Sequence, residues 1–245
     1  MELSIVVPVH NENENLRPLI EEIDAALVGV RDHEIIYVDD GSTDDTLARL
    51  TALRKVFPRL RVLRHVRCCG QSTALRTGIL AARGRVIATL DGDGQNDPAN
   101  IPAMLAAWRE LSSDGGGGAM VAGYRHQRKD TGWRKLSSRI ANGIRAALLG
   151  DETPDTGCGL KVFSRELFLE LPYFDHMHRF LPALAQRAGS KVISVEVNHR
   201  PRTLGQSKYG TWHRLWVGIW DILGVMWLQR RAHRAEVEEV GDPAR

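Results

Sequence analysis

The chain has 245 residues, of which 43% are hydrophobic and 26% charged, and its formal net charge is +3 at pH 7. That length suits one full-sized α/β domain, alone or with a short appendage, and the composition is typical of an ordinary soluble globule. The charge is too small to indicate nucleic acid as a partner, and three cysteines are too few for a disulfide scaffold, which favours a reducing cytoplasm.

The chain opens with MELSIVVPVHNENEN, a short apolar run with no basic residue before it. This pattern predicts a first strand rather than a signal peptide. No run of eighteen apolar residues occurs later, so the sequence predicts no clear transmembrane helix.

Short β-branched runs then alternate with longer segments of helical periodicity. The predicted strands are 3–9, 34–38, 61–63, 86–90, 120–123, 160–163 and 192–197. The predicted helices lie near 14–29, 44–56, 71–83, 98–111, 132–149 and 178–188. The alternation predicts an α/β fold with a mostly parallel sheet flanked by helices on both faces.

Polar clusters follow three of these strands. PVHNE (8–12) follows the first strand, DDGS (39–42) the second, and DGD (91–93) the fourth. Ligand sites in open α/β sheets lie at the carboxyl ends of the strands. The three clusters are therefore expected to meet at one edge of the sheet and form a single site.

Asp91 and Asp93 are the most specific of these signals. Two carboxylates at the end of an apolar strand repel each other and resist burial, so a cation is expected between them. Gly92 allows a sharp turn and Gln95 can add a neutral oxygen, a set that suits a hard divalent cation. A solvated turn is the alternative, because DGDG is also a good turn sequence.

Asp39 and Asp40 indicate a different contact. A carboxylate at a strand end can accept hydrogen bonds from ribose hydroxyls or from a base N–H. The glycine fingerprint of dinucleotide-binding folds is missing, because Pro8, Val9 and His10 stand in its place. The pattern therefore favours a nucleotide site but disfavours a dehydrogenase.

Together, VVPVHNENENL, IIYVDDGSTDDT and LDGDGQNDP resemble, in order and spacing, the motifs of family 2 glycosyltransferases over about residues 1–205. The resemblance implies the Rossmann-like GT-A fold. It implies a nucleotide-sugar site formed by Pro8, Glu12, Asp39, Asp40 and Asp91. It also implies that Mg²⁺ or Mn²⁺ on the donor diphosphate is bound by Asp91 and Asp93, both catalytic, with Gln95 as a further ligand.

Two basic clusters lie in the second half of the chain. The first comprises Arg125, Arg128, Lys129, Arg134, Lys135 and Arg139, and the second comprises Arg200, Arg202 and Lys208. A solvated basic surface is the ordinary interpretation of such runs. The two clusters exceed what one donor diphosphate needs, however, so an anionic acceptor such as a lipid phosphate is expected.

The same segments resemble polyprenol-phosphate sugar synthases of the dolichyl-phosphate mannose synthase kind. Residues 202–209 match R-x-x-G-x-S-K-Y, residues 155–161 match D-x-x-x-G-x-[KR], and residues 178–189 match the helix that follows. The resemblance implies that the acceptor phosphate is bound by Arg125, Arg134, Arg139, Arg202 and Lys208, with Arg125 and Arg202 also catalytic. Cys68 departs from the family pattern, in which asparagine is expected.

The acceptor determines whether a general base is needed. A phosphate monoester is already an anion and can attack C1 of the sugar, whereas a hydroxyl acceptor needs a carboxylate base. Asp155 is the candidate for that second role, although Pro154-Asp155 is equally compatible with a structural turn.

The segment after residue 204 has a different character, with four of the six tryptophans in residues 212–227. One helical stripe comprises Trp212, Leu215, Trp216, Ile219, Trp220, Leu223, Met226 and Trp227. The stretch is short for a bilayer span, includes Asp221 and ends in arginines. It predicts an amphipathic helix lying on an anionic membrane surface, and packing on the sheet or on a second subunit is the alternative.

The predicted organisation is a glycosyltransferase domain at 1–204, a membrane-associating tail at 205–234 and disorder at 235–245. The predicted function is inverting, metal-dependent transfer of a sugar from a UDP- or GDP-linked donor to a dolichyl- or undecaprenyl-type phosphate, by a peripheral enzyme on the cytoplasmic, inner face of the cell membrane. One alternative is transfer to a sugar hydroxyl in polysaccharide or glycolipid assembly, which the absence of Q-x-x-R-W weakens. Another is a non-catalytic nucleotide-sugar-binding subunit. The sequence leaves open the base, the sugar, the lipid length and whether the chain forms a homo-oligomer.

Overall fold

The computed structural model describes residues 1–30, 32–113, 118–125, 143, 145, 148–151, 153–201 and 211–233, with the side chains of the last range described from Gly218 onward. Its strands are β1 (Leu3–Val9), β2 (His33–Asp40), β3 (Leu60–His65), β4 (Val86–Thr89), β5 (Ala119–Tyr124), β6 (Lys161–Ser164) and β7 (Lys191–Glu196). Its α-helices are α1 (Leu16–Ala26), α2 (Thr46–Leu53), α3 (Gln71–Ala81), α4 (Ile101–Ser113), α5 (Arg165–Glu170), α6 (Leu181–Arg187) and α7 (Thr211–Arg230). Short 3₁₀ turns occupy Pro98–Asn100 and Met177–Arg179.

The strands form one sheet in the order β3-β2-β1-β4-β6-β5-β7. β1 pairs in parallel with β2 and with β4, and β1 and β2 are buried along their whole length. One hydrophobic cluster joins the sheet to α1, α2 and α4, and a second joins its other face to α3, α5 and α6. Cover on both faces explains why these strands read as continuous apolar runs. The predicted mostly parallel α/β architecture is confirmed.

β6 is the exception to the parallel arrangement, because it runs antiparallel to both β4 and β5. In this register Lys161, the first residue of β6, stands opposite Thr89, the last residue of β4. The loop that precedes β6 therefore reaches the same edge of the sheet as Asp91. Strand direction depends on tertiary pairing, and the sequence pattern does not reveal it.

The predicted strands are all found, and their ends differ from prediction by two residues or fewer. Helix α5 was not predicted, because its six residues are too few to show a helical period. It begins after Ser164, whose hydroxyl accepts a hydrogen bond from the Leu167 amide at 3.3 Å. Most of the predicted helix at 132–149 lies outside the described residues.

Helix α7 lies against the body of the protein. Val225 is buried, Arg187 Nε donates to the Leu228 carbonyl at 2.8 Å, and Gln229 donates to the Leu149 carbonyl at 2.7 Å. Met226, which belongs to the apolar stripe predicted to face the membrane, packs against the core. No helix of the described residues is long and apolar enough to cross a membrane.

Candidate active site

The loops after β1, β2 and β4 meet at one edge of the sheet, as the sequence predicts, because these three strands are neighbours. The chain order along the sheet reverses between β1 and β4. Such a reversal leaves a crevice at the carboxyl ends of the strands, where ligands of open α/β sheets bind.

The loops after β1 and β2 are tied into one unit. Asn11, in the left-handed region at φ 55°, donates its backbone N–H to Ser42 Oγ at 2.9 Å and accepts at Oδ1 from the Thr43 amide at 2.7 Å. The Glu12 amide donates to Thr46 Oγ1 at 3.0 Å. Pro8 lies in β1 opposite Val38. Pro8 and Glu12 therefore stand beside the end of β2, where the sequence analysis expects a nucleotide.

Asp40 is buried, and the chain itself saturates its carboxylate with hydrogen bonds. Oδ1 contacts His65 Nδ1 at 2.7 Å and accepts from the Cys69 amide at 2.8 Å. Oδ2 accepts from the Gly70 amide at 2.8 Å and from the Cys68 thiol at 3.3 Å. Burial opposes the charge, but these hydrogen bonds outweigh it and hold the pKa of Asp40 below its usual range. The departure at Cys68 thus places a thiol directly on Asp40.

Asp39 is also buried but is less well satisfied. Its Oδ1 accepts from the Ser42 amide at 3.3 Å, whereas Oδ2 is buried and accepts no hydrogen bond within the described part of the chain. A buried carboxylate oxygen without a donor is costly, so an additional donor is expected here.

Asp91 and Asp93 follow β4 and form the opposite end of the site. Burial, and then repulsion from Asp93, raises the pKa of Asp91 to about 6. Lys161, Arg125 and a hydrogen bond from Gln71 Nε2 to Oδ1 at 2.8 Å oppose this rise without cancelling it. The negative charge of Asp91 is therefore only partly balanced by the positive charges and the hydrogen-bond donor around it.

Two glycines make room for this acidic pair. A Cβ on Gly159, in the loop before β6, would overlap the Asp91 carboxyl group, and a Cβ on Gly92 would overlap the Val9 side chain. The Asp91 amide donates to Asn96 Oδ1 at 3.1 Å, which fixes the turn. The chain is thus built so that the Asp91 carboxylate lies directly against the backbone of Gly159.

Gln95 and Arg200 occupy a structural position. The Arg200 amide donates to the Gln95 carbonyl at 3.0 Å, and Gln95 Nε2 lies 3.5 Å from the Arg200 carbonyl. The Arg200 guanidinium is paired with Glu22 at 2.8 Å and with Asp97 at 2.7 Å. The charge of Arg200 is therefore balanced by Glu22 and Asp97, whereas the sequence led us to expect it in a cluster free to bind an anion. The role of Gln95 as a metal ligand stays a prediction.

Lys161 belongs to the site, although the sequence marked it only as the last residue of the D-x-x-x-G-x-[KR] motif and not as a site residue. Its side chain is buried and contacts the Cys158 carbonyl, and burial lowers its pKa. Its charge acts on Asp91 and Asp155. A lysine inside the apolar run GLKVF was the available signal, because a buried lysine needs nearby negative charge.

Arg125 is held by Asp155. Arg125 Nε lies 2.5 Å from Asp155 Oδ2, Nη2 lies 2.9 Å from Oδ1, and the Arg125 amide donates to Oδ2 at 3.3 Å. This two-pronged contact fixes the position of the guanidinium. The guanidinium is close enough to Asp91 for its positive charge to oppose the rise in the Asp91 pKa that burial and Asp93 cause. Asp155, the candidate base, is thereby engaged through both oxygens.

The other predicted acceptor residues, Arg134, Arg139, Arg202 and Lys208, lie outside the described residues. So do Arg128, Lys129 and Lys135 of the first basic cluster.

Comparison with known proteins agrees with this geometry. The sequence model described as Glycosyl transferase family 2 matches residues 4–171, which include all three polar strand ends and the loop before β6. A dodecaprenyl-phosphate galacturonate synthase from Rhizobium johnstonii is 39% identical and aligns with 94% of this chain and 68% of its own length. An undecaprenyl-phosphate 4-deoxy-4-formamido-L-arabinose transferase from Enterobacter sp. is 35% identical over 84% of this chain and 62% of its own length. The chain thus spans about two thirds of the length of these relatives.

Solved structures share the fold. Glucosyl-3-phosphoglycerate synthase from Mycobacterium tuberculosis, in complex with Mg²⁺ and UDP, superposes with a TM-score of 0.68 at 19% identity, over 93% of this chain and 79% of that one. Its complex with Mn²⁺, UDP and phosphoglyceric acid gives a TM-score of 0.68 at 21% identity, over 96% and 80%. These likenesses confirm the predicted fold.

Proposed function

Because the chain belongs to glycosyl transferase family 2, we propose that it transfers a sugar from a nucleotide-sugar donor to a polyprenyl phosphate, with inversion at the anomeric carbon. The names of both relatives specify a dodecaprenyl or undecaprenyl phosphate. The observation that carries the proposal is the charge pattern at the end of β4. There the charge of Asp91, next to Asp93, is only partly balanced by the nearby charges of Lys161 and Arg125.

The donor nucleotide lies, in this proposal, over the ends of β1 and β2. Asp39 Oδ2 accepts no hydrogen bond from the described residues and suits a ribose hydroxyl or a base N–H. Asp40 is committed to the backbone amides of Cys69 and Gly70. We therefore assign Asp40 the positioning of that loop beside the nucleotide, and Pro8 and Glu12 the opposite wall.

The acidic pair fits a hard divalent cation, Mg²⁺ or Mn²⁺. Both ligands offer oxygen, the charge of Asp91 is only partly balanced, and Gly159 leaves Asp91 the room it needs. Asp91 and Asp93 would hold the cation, with Gln95 as a further candidate. When bound, such a cation neutralises the donor diphosphate and stabilises it as the leaving group.

The acceptor is best described as an anion. A phosphate oxygen forms the new bond to C1 while the bond from C1 to the diphosphate oxygen breaks, and no proton has to be removed. The protein's task is to hold two anions together, which suits Arg125 and Lys161 and the arginines proposed at 134, 139 and 202 with Lys208. The hydroxyl acceptor is less well supported, because Asp155 is held by Arg125 rather than open to a hydroxyl.

A lipid acceptor places the protein at a membrane, and α7 supports this. Its outward face carries Ile219, Trp220, Leu223 and Trp227, with Trp220 71% and Trp227 60% exposed. Tryptophan suits the membrane interface, and Arg230 and Arg231 at the end of the helix suit anionic lipid headgroups. We propose that α7 lies on the inner face of the cell membrane as a peripheral anchor.

A transfer assay tests the proposal. The protein is incubated with Mn²⁺, undecaprenyl or dolichyl phosphate and a panel of labelled UDP- and GDP-sugars, and label is counted in the organic phase. Mild-acid-labile label from one donor is the expected result, and it would also identify the sugar. If the donor binds but no label enters the organic phase, the lipid acceptor is wrong and a hydroxyl acceptor with Asp155 as base becomes the better account.

A further inference from the structure

A second group of metal-binding side chains lies at the nucleotide end of the site, away from the Asp91 and Asp93 pair. Asp40, at the end of β2, and His65, at the end of β3, are register partners in adjacent strands, and Cys69 follows in the next loop. One ligand atom from each lies within 4.8 Å of the other two. Asp91 and Asp93 offer only oxygen, whereas this group combines oxygen, imidazole nitrogen and sulfur.

The His65 ring is held on both sides. Nδ1 lies 2.7 Å from Asp40 Oδ1, and Nε2 lies 2.9 Å from Thr77 Oγ1. A threonine hydroxyl can donate or accept, so Nε2 can carry the proton and leave Nδ1 as a lone-pair ligand. Metal-bound histidines generally donate their other ring N–H to such a partner, and Thr77 supplies it here.

Cys68 provides a fourth ligand of the right kind. Its thiol lies 3.3 Å from Asp40 Oδ2, and the side chains of both Cys68 and Cys69 are exposed. Bonds of about 2.0–2.3 Å in a tetrahedral site place neighbouring ligand atoms roughly 3.3–3.8 Å apart. The Cys68 thiol lies at this spacing from Asp40 Oδ2, whereas Asp40 Oδ1 and His65 Nδ1, now 2.7 Å apart, must separate on metal binding. The exposed Cys69 thiol, which lies within 4.8 Å of the Asp40 and His65 ligand atoms, must move inward.

We propose that Asp40, His65 and Cys69, with Cys68 as fourth ligand, form a binding site for a borderline-soft divalent cation of the Zn²⁺ type. The ligand set of one carboxylate, one imidazole and two thiolates matches the preferences of Zn²⁺ and not those of Mg²⁺, which requires oxygen. The nucleotide end of the site and the Asp91 end thus select different cations.

Occupation of this site has a consequence that rests on the proposed function. A cation on Asp40 displaces the hydrogen bonds from the Cys68 thiol and the Cys69 amide that now order the loop at residues 68–70. That loop borders the proposed nucleotide position, so the bound cation weakens donor binding. The site therefore acts as an inhibitory zinc site.

Cobalt tests the site directly, because Co²⁺ replaces Zn²⁺ in such sites and its spectrum reports thiolate ligands. The full chain, kept reduced with a phosphine, is titrated with Co²⁺. We expect a thiolate-to-cobalt charge-transfer band and intense visible bands of a tetrahedral site at one equivalent, and their loss on addition of Zn²⁺. Cys69→Ser should abolish the band, and Cys68→Ser should reduce it to about half.

Asp93→Asn is the matched control, because it alters the oxygen-only pair and leaves the sulfur ligands intact. The band should persist unchanged in this variant. Absence of a thiolate band in the wild-type protein, its persistence in Cys69→Ser, or its loss in Asp93→Asn would each overturn the proposal. The spectrum needs no turnover, so it separates a failure of this site from a failure of the proposed function. If transfer is observed, Zn²⁺ should raise the donor KM in the wild type but not in Cys69→Ser.

Discussion

The two ends of the site differ in how they affect the pKa of a buried carboxylate. Asp40 receives its hydrogen bonds from the chain, through His65, Cys68, Cys69 and Gly70, and its pKa falls. Asp91 follows β4, two strands further along the same sheet, and burial and then repulsion from Asp93 raise its pKa to about 6. Hydrogen bonds from the chain stabilise the charged form of Asp40, whereas the surroundings of Asp91 destabilise its charged form. A raised pKa next to a second carboxylate is therefore the observation that supports the Mg²⁺ or Mn²⁺ site at Asp91 and Asp93.

The largest expected effect comes from removing one of the two carboxylates proposed to bind the cation. Asp93→Asn should lower transfer activity by about 1,000-fold or more, because the leaving diphosphate loses its cation. The rate of label transfer at saturating Mn²⁺ measures it. Asp45→Asn, an exposed acid just before α2, is the control and should retain near-wild-type activity. Equal activity in both variants would remove the metal role of the pair.

The position of the Asp91 carboxylate depends on the absence of a side chain at Gly159. Gly159→Ala puts a methyl group into the Asp91 carboxyl group and should displace it, with a loss of about 100-fold in activity and weaker Mn²⁺ binding. Gly157→Ala is the matched control two residues earlier. Among the described residues, its Cβ would approach Arg125 Nη2 at 3.3 Å and Asp155 Oδ1 at 3.5 Å without overlapping either atom, so a smaller loss is expected. A reversed order of these two variants would contradict the packing argument.

The same substitution at the two ends should change stability in opposite directions. In Asp40→Asn one carboxylate oxygen becomes an NH₂ group among donors, which should destabilise the fold by about 2 kcal/mol. In Asp91→Asn the neutral amide removes an unfavourable charge and should stabilise the metal-free protein by on the order of 1 kcal/mol at pH 7.5. Thermal unfolding of both variants without metal measures this, and a gain in Asp40→Asn or a loss in Asp91→Asn would contradict it.

The pH dependence follows from the sign of the Asp91 shift. Its pKa in the folded protein, about 6, exceeds its ordinary value of 3.8. The contribution of protonated Asp91 to stability is therefore fully present below about pH 4 and is lost as pH rises through 6. The stability advantage of Asp91→Asn should accordingly shrink as the pH falls from 7.5 to 4.5, and added Mn²⁺ should cancel it at pH 7.5.

The smallest effect concerns the outward face of α7, which we propose lies on the membrane that holds the lipid acceptor. A double change of Trp220 and Trp227 to serine should lower binding to anionic liposomes by about tenfold or more, because two exposed aromatic surfaces are lost. Val66→Ser, which removes an exposed apolar side chain elsewhere, serves as control in the same sedimentation assay. Unchanged liposome binding by the double variant would show that these tryptophans do not hold the protein on the membrane.

The sequence predicted the parts of the site that depend on local pattern. Parallel strands end at one edge, so the convergence of Glu12, Asp40 and Asp91 followed from strand order alone. The pairing of Asp91 with Asp93 was readable because a short spacing fixes both at one strand end. The family resemblance supplied the roles of these residues.

The remaining features depend on contacts between distant residues. The antiparallel direction of β6 brings Gly159 and Lys161 to Asp91, and no local period reports strand direction. Arg200 belongs to a basic segment, yet Glu22 and Asp97 neutralise it from far along the chain. Met226 has the spacing of the apolar stripe predicted to face the membrane and nevertheless packs against the core. In each case the partner, which the sequence does not identify, decides the role.

The most direct test of the central claim is a Mn²⁺ titration followed by electron paramagnetic resonance, with and without UDP or GDP. The account predicts that a nucleoside diphosphate strengthens Mn²⁺ binding to the wild-type protein. Asp91→Asn and Asp93→Asn should lose Mn²⁺ binding, whereas Asp40→Asn should keep it and lose the strengthening by nucleotide. Mn²⁺ binding that survives in both Asp91→Asn and Asp93→Asn would contradict the proposal that Asp91 and Asp93 hold the Mg²⁺ or Mn²⁺ of the donor.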